Sequence, residues 1–219
     1  MKRAIDLSKI DLATTALLVI DMQNAFCHPK GTLGSDGADV SAIQAMLDPL
    51  ARVVQACRSA QILDIWSIQE HYENDATRGR HRLRPHTLKR FRVPSVRGTW
   101  DAQLVDELRR LVTDRSELFT KNRFGCFYNS KLESLLRIHG IDTLVVTGVD
   151  TNVCVETTVR EAYMRDLDVI VLEDCVGGVH PEWHRVALQV WSRYIGAVIQ
   201  SEDLLALIKE RSAGARRTG

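Results

Sequence analysis

The sequence predicts an α/β protein built on a parallel sheet with helices on both faces. Three observations carry that reading. Short aliphatic runs alternate with longer amphipathic stretches along the chain. The runs at 16–20 (ALLVI), 62–66 (ILDIW), 143–146 (TLVV) and 169–172 (VIVL) are too short for helices and rich in β-branched residues. They also lack strict polar alternation, as strands buried on both faces do. Finally, 219 residues with 45% hydrophobic and 26% charged content suit a single domain, residues 1–219, with no internal repeat and no Ser/Gly linker. A chain of this length buries roughly 70% of its unfolded surface and needs no staples.

In chain order, 16–20 reads as the first strand and 39–60 as a helix, followed by the strand at 62–66. Helix 101–112 precedes a weaker strand candidate at 117–121, and helix 130–139 precedes the strand at 143–146. Helix 152–166, the strand at 169–172, helix 181–194, a weaker strand at 197–200 and helix 202–210 complete the alternation. Gly177-Gly178 reads as a turn before helix 181–194. Parallel strands joined through helices imply right-handed crossovers.

Composition excludes several classes. A net charge of +1 with an ordinary hydrophobic fraction excludes disorder. No apolar run approaches the ~18 residues of a membrane span, so no membrane partner is expected. Residues 1–11 (MKRAIDLSKID) carry neither an apolar core nor a cleavage site, so a cytoplasmic location is expected. Five cysteines, Cys27, Cys57, Cys126, Cys154 and Cys175, form no C-x-x-C pair and no zinc spacing, and are expected to be reduced thiols.

In an open parallel sheet the ligand site lies beyond the carboxyl ends of the strands. The residues just past each strand are therefore informative: Asp21-Met22-Gln23-Asn24-Ala25-Phe26, then Gln69-Glu70-His71, Lys121-Asn122-Arg123-Phe124, Gly148-Val149-Asp150-Thr151-Asn152-Val153-Cys154, and Glu173-Asp174. An acid, a base and a thiol reach one edge. A thiol attacks a carbonyl only as thiolate, so it needs a proton acceptor and positive potential. Cys154 sits where the chain turns from strand into helix, and free N–H groups there can hold an anion. Asp21 is the candidate general base, and Lys121 the candidate stabilising charge. Each has a plainer alternative: a helix cap for Asp21, packing for Cys154, a solvated strand end for Lys121.

These segments, LVIDMQNAF at 18–26, Lys121, and GVDTNVCV at 148–155, resemble the isochorismatase-like cysteine hydrolase superfamily over about residues 14–205. Within it the sequence is most similar to the ureidoacrylate and biuret-type amidohydrolases, through 98–108 (GTWDAQLVDEL), 121–124 (KNRF) and 151–158 (TNVCVETT). The resemblance implies a three-layer αβα sandwich whose six parallel strands run in the order 3-2-1-4-5-6. It implies an Asp21, Lys121, Cys154 triad, a cis peptide at Val149-Asp150, and an oxyanion hole from the N–H groups of Asp150 and Cys154. Asp150 departs from the small residue usual there, and its side chain suits a cap on the following helix. The implied reaction is two-step amide hydrolysis with release of ammonia. By the same resemblance Phe26, Gln69, His71 and Phe124 line the substrate pocket, with Gln69 and His71 departing from an expected Asn and Trp.

No metal is expected. Nicotinamidases carry an Asp-x-His…His site after the second strand, whereas Gln69-Glu70-His71 has its carboxylate one position off and the next histidine only at His81. His180 and His184 lack a third ligand and suit capping or packing. No cofactor is expected either, since no Gly-x-Gly-x-x-Gly or P-loop follows a strand. Cys126 is a rival thiol without a helix-start environment.

The segment 78–97 (RGRHRLRPHTLKRFRVPSVR) holds eight Lys/Arg, two His and no acid; a chain total of +1 less its +8 leaves about −7 elsewhere. It has no recognition motif and only Phe91 as an aromatic, so no nucleic-acid partner is expected. It reads as part of a basic lid, about 69–98, that offers a guanidinium from Arg82, Arg84 or Arg92 to a substrate carboxylate. A solvated loop or a subunit contact is the plainer alternative. Together with the resemblance, these features predict a hydrolase of a ureido acid, and the resemblance implies a homodimer or homotetramer. The alternatives are a hydrolase of uncharged biuret- or triuret-like compounds and a non-catalytic binding homologue that uses 78–97.

Overall fold

The computed structural model of the chain describes residues 5–73 and 92–215. Its centre is a sheet of six strands: β1 (Thr15–Ile20), β2 (Leu63–Gln69), β3 (Glu117–Lys121), β4 (Thr143–Val149), β5 (Asp168–Gly177) and β6 (Ala197–Ile199). All neighbours pair in parallel, in the order β3-β2-β1-β4-β5-β6. Every residue of β1 and β4 is buried, which is why these runs show no polar alternation.

After β1 come two single turns, α1 (Asn24–Cys27) and α2 (Thr32–Ser35), then α3 (Ser41–Ala45) and α4 (Leu47–Ser59). Later helices are α5 (Asp106–Arg109), α6 (Leu132–Ile138), α7 (Glu156–Tyr163), α8 (Pro181–Tyr194) and α9 (Ser201–Ala215). Leu17, Val19, Trp66 and Val145 pack on one face with Leu50, Val53 and Val54 of α4 and Leu204 and Ile208 of α9. Ala16, Leu18, Ile20 and Val146 face the other way, against Leu136 of α6, Val159 of α7 and Trp191 of α8. Each fully buried aliphatic side chain of these layers contributes about 1.5–3 kcal/mol of burial. Among the described residues, no helix is long and apolar enough to cross a membrane.

Several boundaries differ from the sequence expectation. The helix expected over 39–60 breaks at Met46, which closes α3 and opens α4. The helix expected over 101–112 shrinks to a 3-10 turn, Trp100–Ala102, and to α5. Its backbone is taken by the loop after β1: the N–H of Asn24 donates to Gln103 O at 2.8 Å, and that of Val105 to Met22 O at 3.0 Å. The helix expected over 152–166 starts with a π-helical turn, Thr151–Val155, before α7. Strand β5 continues past Leu172 through a register shift opposite β4, so Glu173 and Asp174 lie within the strand and not beyond it. Asp174 accepts from the N–H of Ser201 at 2.7 Å and from its hydroxyl at 2.5 Å, which caps α9.

The strand order reverses between β1 and β4, and beyond the carboxyl ends at such a point an open parallel sheet takes its ligands. Gly148 sits there beside Ile20, with φ at +111°. A Cβ at Gly148 would lie 2.1 Å from the Ile20 carbonyl oxygen, so only glycine lets the two strands close at this point.

Candidate active site

Asp21 follows β1 directly and takes a left-handed backbone conformation, φ 52°, which Asp tolerates better than most residues. Its carboxylate is fully buried and held from two sides. The Ser67 hydroxyl of β2 donates to Oδ1 at 2.6 Å, and Lys121 Nζ lies 2.6 Å from Oδ2. The register explains the meeting: β1 pairs with β2, β2 pairs with β3, and Lys121 stands opposite Gln69 at the carboxyl end of β3.

Lys121 is as buried as its partner. Beyond Asp21, its ammonium donates to Gln69 Oε1 at 2.7 Å, to Arg123 O at 3.0 Å and to Phe124 O at 3.1 Å. Burial alone would depress its pKa. The Asp21 carboxylate outweighs that penalty and holds Lys121 above the usual lysine value, so it stays charged. The strand end is thus not solvated, although most lysines are.

Cys154 lies in the π-helical turn that follows the Val149-Asp150 peptide, which is cis. Its thiol is buried and joins the core beneath β1 and β4. Burial, the strongest influence, pushes its pKa well up; the Lys121 charge pulls it back, while Asp21 pushes it up by charge and by hydrogen bonding. At rest the group is therefore a neutral thiol beside a carboxylate and an ammonium. Thr158 accepts the N–H of Cys126 at 3.1 Å and donates to Cys154 O at 2.7 Å, so one hydroxyl ties the loop after β3 to the thiol's own turn.

The side chain of Asp150 stands at the N-cap position but makes no cap hydrogen bond, contrary to the capping role its position suggested. Gly178 leaves room for it instead: a Cβ there would lie 2.2 Å from Asp150 Oδ1. His180 also stands at an N-cap without capping, and packs on Trp183 with ring centroids 4.0 Å apart. His184 Nδ1 meets the Thr151 hydroxyl at 2.9 Å, which links α8 to the turn carrying Cys154.

The expected pocket residues divide. Gln69 stands next to Lys121 with His71 behind it, while Phe124 is 45% exposed and gives its carbonyl to Lys121. Phe26 is half-buried against the core on the α4 side. Arg92 is already engaged, through Nε to the Thr32 hydroxyl at 3.0 Å and an ion pair with Asp101 at 3.7 Å. Arg82 and Arg84 lie outside the described residues, as does His81. Both ring nitrogens of His71 have protein partners, Pro94 O at 2.8 Å and Gln69 Nε2 at 3.1 Å, which leaves no lone pair for a metal. Cys126 is fully buried; burial lifts its thiol to about 11 although the Lys121 charge pulls the other way.

Two supporting residues escaped sequence reasoning. Ser67 lies one residue past the strand expected at 62–66, and β2 runs on through it to Gln69. Gln23 clamps β2 by accepting the Gln69 N–H at 2.8 Å, and its Nε2 donates to Gln69 O, Ser95 Oγ and Ala102 O.

Comparison with known proteins bears on this geometry. The isochorismatase domain model matches residues 15–203. The chain is 34% identical to the ureidoacrylate amidohydrolase RutB of Methylobacterium radiotolerans, over 96% of this chain and 86% of that protein. It is 36% identical to the RutB of Pantoea ananatis, over 91% and 85%. Among solved structures, a cysteine hydrolase from Pseudomonas syringae pv. phaseolicola superposes with a TM-score of 0.79 at 27% identity, covering 92% of this chain and 95% of that one. N-carbamoylsarcosine amidase from Thermoplasma acidophilum superposes with a TM-score of 0.67 at 26% identity, covering 86% and 96%.

Proposed function

The chain belongs to the isochorismatase family, and from that premise we propose that it is a cysteine-dependent amidohydrolase that cleaves a C–N bond of a small ureido substrate. A single observation carries this: a fully buried Lys121–Asp21 ion pair, 2.6 Å apart, whose field falls on the thiol of Cys154. The two RutB relatives are ureidoacrylate amidohydrolases by name, which supports a ureido substrate.

Asp21 takes the thiol proton as Cys154 attacks the substrate carbonyl. That transfer moves negative charge from carboxylate to sulfur without changing the net charge of the site, so Lys121 stabilises both ends of the step. The N–H groups of Asp150 and Cys154 receive the developing oxyanion. Collapse breaks the C–N bond, Asp21 returns its proton to the leaving nitrogen, and an acyl or carbamoyl thioester remains on Cys154. Water, deprotonated by Asp21, then releases the acid. Ammonia results by either partition: directly if the terminal amide leaves, or through decay of carbamate to ammonia and carbon dioxide if the substituted amine leaves.

The substrate's charge divides two readings. The basic composition of 78–97, most of which lies outside the described residues, suits a ureido acid. The engagement of Arg92 with Asp101 and Thr32 favours an uncharged biuret-like compound instead, unless Arg82 or Arg84 supplies the contact. Five unpaired thiols suit the reducing cytoplasm, and we infer a homodimer or homotetramer there. The test is ammonia release across a panel of carboxylated and neutral ureides, with Cys154→Ala as control. Turnover of ureides that Cys154→Ala abolishes is expected. A panel with no turnover would leave a binding protein, and undiminished activity in Cys154→Ala would remove the thiol from the reaction.

A further inference from the structure

Four oxygens surround Lys121 Nζ, which has three protons to donate. Gln69 Oε1 at 2.7 Å and the carbonyls of Arg123 and Phe124, at 3.0 and 3.1 Å, accept one each, while Asp21 Oδ2, 2.6 Å away, meets the ammonium as an ion pair. Gln69 therefore determines where one of the three N–H bonds points. Its own orientation is fixed in turn. Were the amide reversed, Nε2 would meet the Lys121 ammonium donor to donor, so Oε1 faces Lys121 and Nε2 faces away.

Facing away, Gln69 Nε2 lies 3.1 Å from His71 Nε2, while His71 Nδ1 lies 2.8 Å from the carbonyl oxygen of Pro94. A carbonyl oxygen only accepts, so Nδ1 carries the ring proton. Nε2 then offers its lone pair and accepts from Gln69. Each of the three contacts from Pro94 through His71 and Gln69 to Lys121 then pairs a donor with an acceptor, and no other assignment of a neutral ring does so for all three. The line is also anchored along the backbone, since the His71 N–H donates to Ser95 O at 3.0 Å and Gln23 holds the backbone of Gln69 from both sides.

We propose that Gln69 and His71 are positioning residues for Lys121, a hydrogen-bonded relay that aims the ammonium at Asp21 and Cys154, and not principally substrate contacts. This rests on the assignment of Asp21, Lys121 and Cys154 as the reacting groups. With its N–H bonds taken by oxygen, Lys121 acts on the sulfur as a fixed charge and not as a proton donor. His71 fixes the polarity of the line, because only a ring with a free Nε2 lone pair receives Gln69.

Gln69→Leu and His71→Phe each break the relay, and His71→Gln restores an acceptor and a donor on one side chain. Two readouts separate positioning from other roles: the split between kcat and KM on the best ureide, and the rate of Cys154 alkylation by iodoacetamide at fixed pH, resolved by peptide mass spectrometry. In Gln69→Leu and His71→Phe, kcat and the Cys154 alkylation rate should each fall about tenfold with KM nearly unchanged, the loss expected for one hydrogen bond to a charged group. In His71→Gln both should return most of the way. A raised KM with kcat and alkylation unchanged would make the pair substrate contacts and overturn the relay, as would unchanged values throughout or a His71→Gln as impaired as His71→Phe. Alkylation needs no substrate, so an error about the ureido reaction would leave that arm readable. Thermal melts of all three variants identify a loss of fold, and His71, only half-buried, is the position least exposed to that loss.

Discussion

Removing Lys121 tests the buried ion pair at its root. Both side chains are fully excluded from solvent and 2.6 Å apart. Lys121→Met keeps the length and packing of the side chain but strands the Asp21 carboxylate, and it leaves the oxygens of Gln69, Arg123 and Phe124 without their donor. Breaking a buried pair by deleting one partner typically costs about 3–5 kcal/mol, because a bare charge is left behind. Asp21→Asn should cost a similar amount, by stranding the ammonium. The double variant carries no bare charge, only unpaired polar groups at about 1–3 kcal/mol each. Its cost should therefore fall below the sum of the two singles by at least ~2 kcal/mol of coupling. Urea unfolding of wild type, both singles and the double closes this cycle. Strictly additive costs, or a Lys121→Met variant within about 1 kcal/mol of wild type, would mean that the pair is hydrated, and the electrostatic description of the site would fail with it.

Two further predictions concern the surroundings of the site. Gly148→Ala should destabilise the protein by at least ~2 kcal/mol, since its φ of +111° and the Ile20 carbonyl both oppose a Cβ; a melting temperature equal to wild type would contradict that close approach. His184 has a pKa lowered by burial despite the opposing charge of Glu173. The unfolded chain then takes up this proton first, so stability should decline as pH falls below about 6.5 and level off beneath the folded value. Unfolding experiments across that window should show a shallower decline in His184→Gln, and identical slopes would mean that the His184 ring is hydrated.

The strands were legible because burial on both faces removes polar alternation, and β1 and β4 meet that condition at every residue. The positions of Asp21, Lys121 and Cys154 were legible for a related reason: in a parallel sheet, the residue after each strand has a known edge. Boundaries set by long-range contacts were hidden. Nothing local in 101–112 says that its backbone pairs with the loop after β1, or that β5 slips its register and runs on to Gly177. The partners of Arg92 were equally hidden, because Asp101 and Thr32 are distant in sequence and local charge suggests only a free guanidinium. Gln69 and His71 could be placed near the site, but the polarity of their hydrogen bonds depends on the Pro94 carbonyl, whose orientation no sequence pattern encodes.

In the proposed reaction Cys154 forms a covalent bond to substrate carbon. Rapid acid quenching during ureide turnover, with peptide mass spectrometry of the quenched protein, tests it directly. An acyl or carbamoyl group should appear on the Cys154 peptide and decay with turnover, and should be absent from Asp21→Asn. Sustained turnover with Cys154 unmodified, or with the group carried by Cys126, would contradict it.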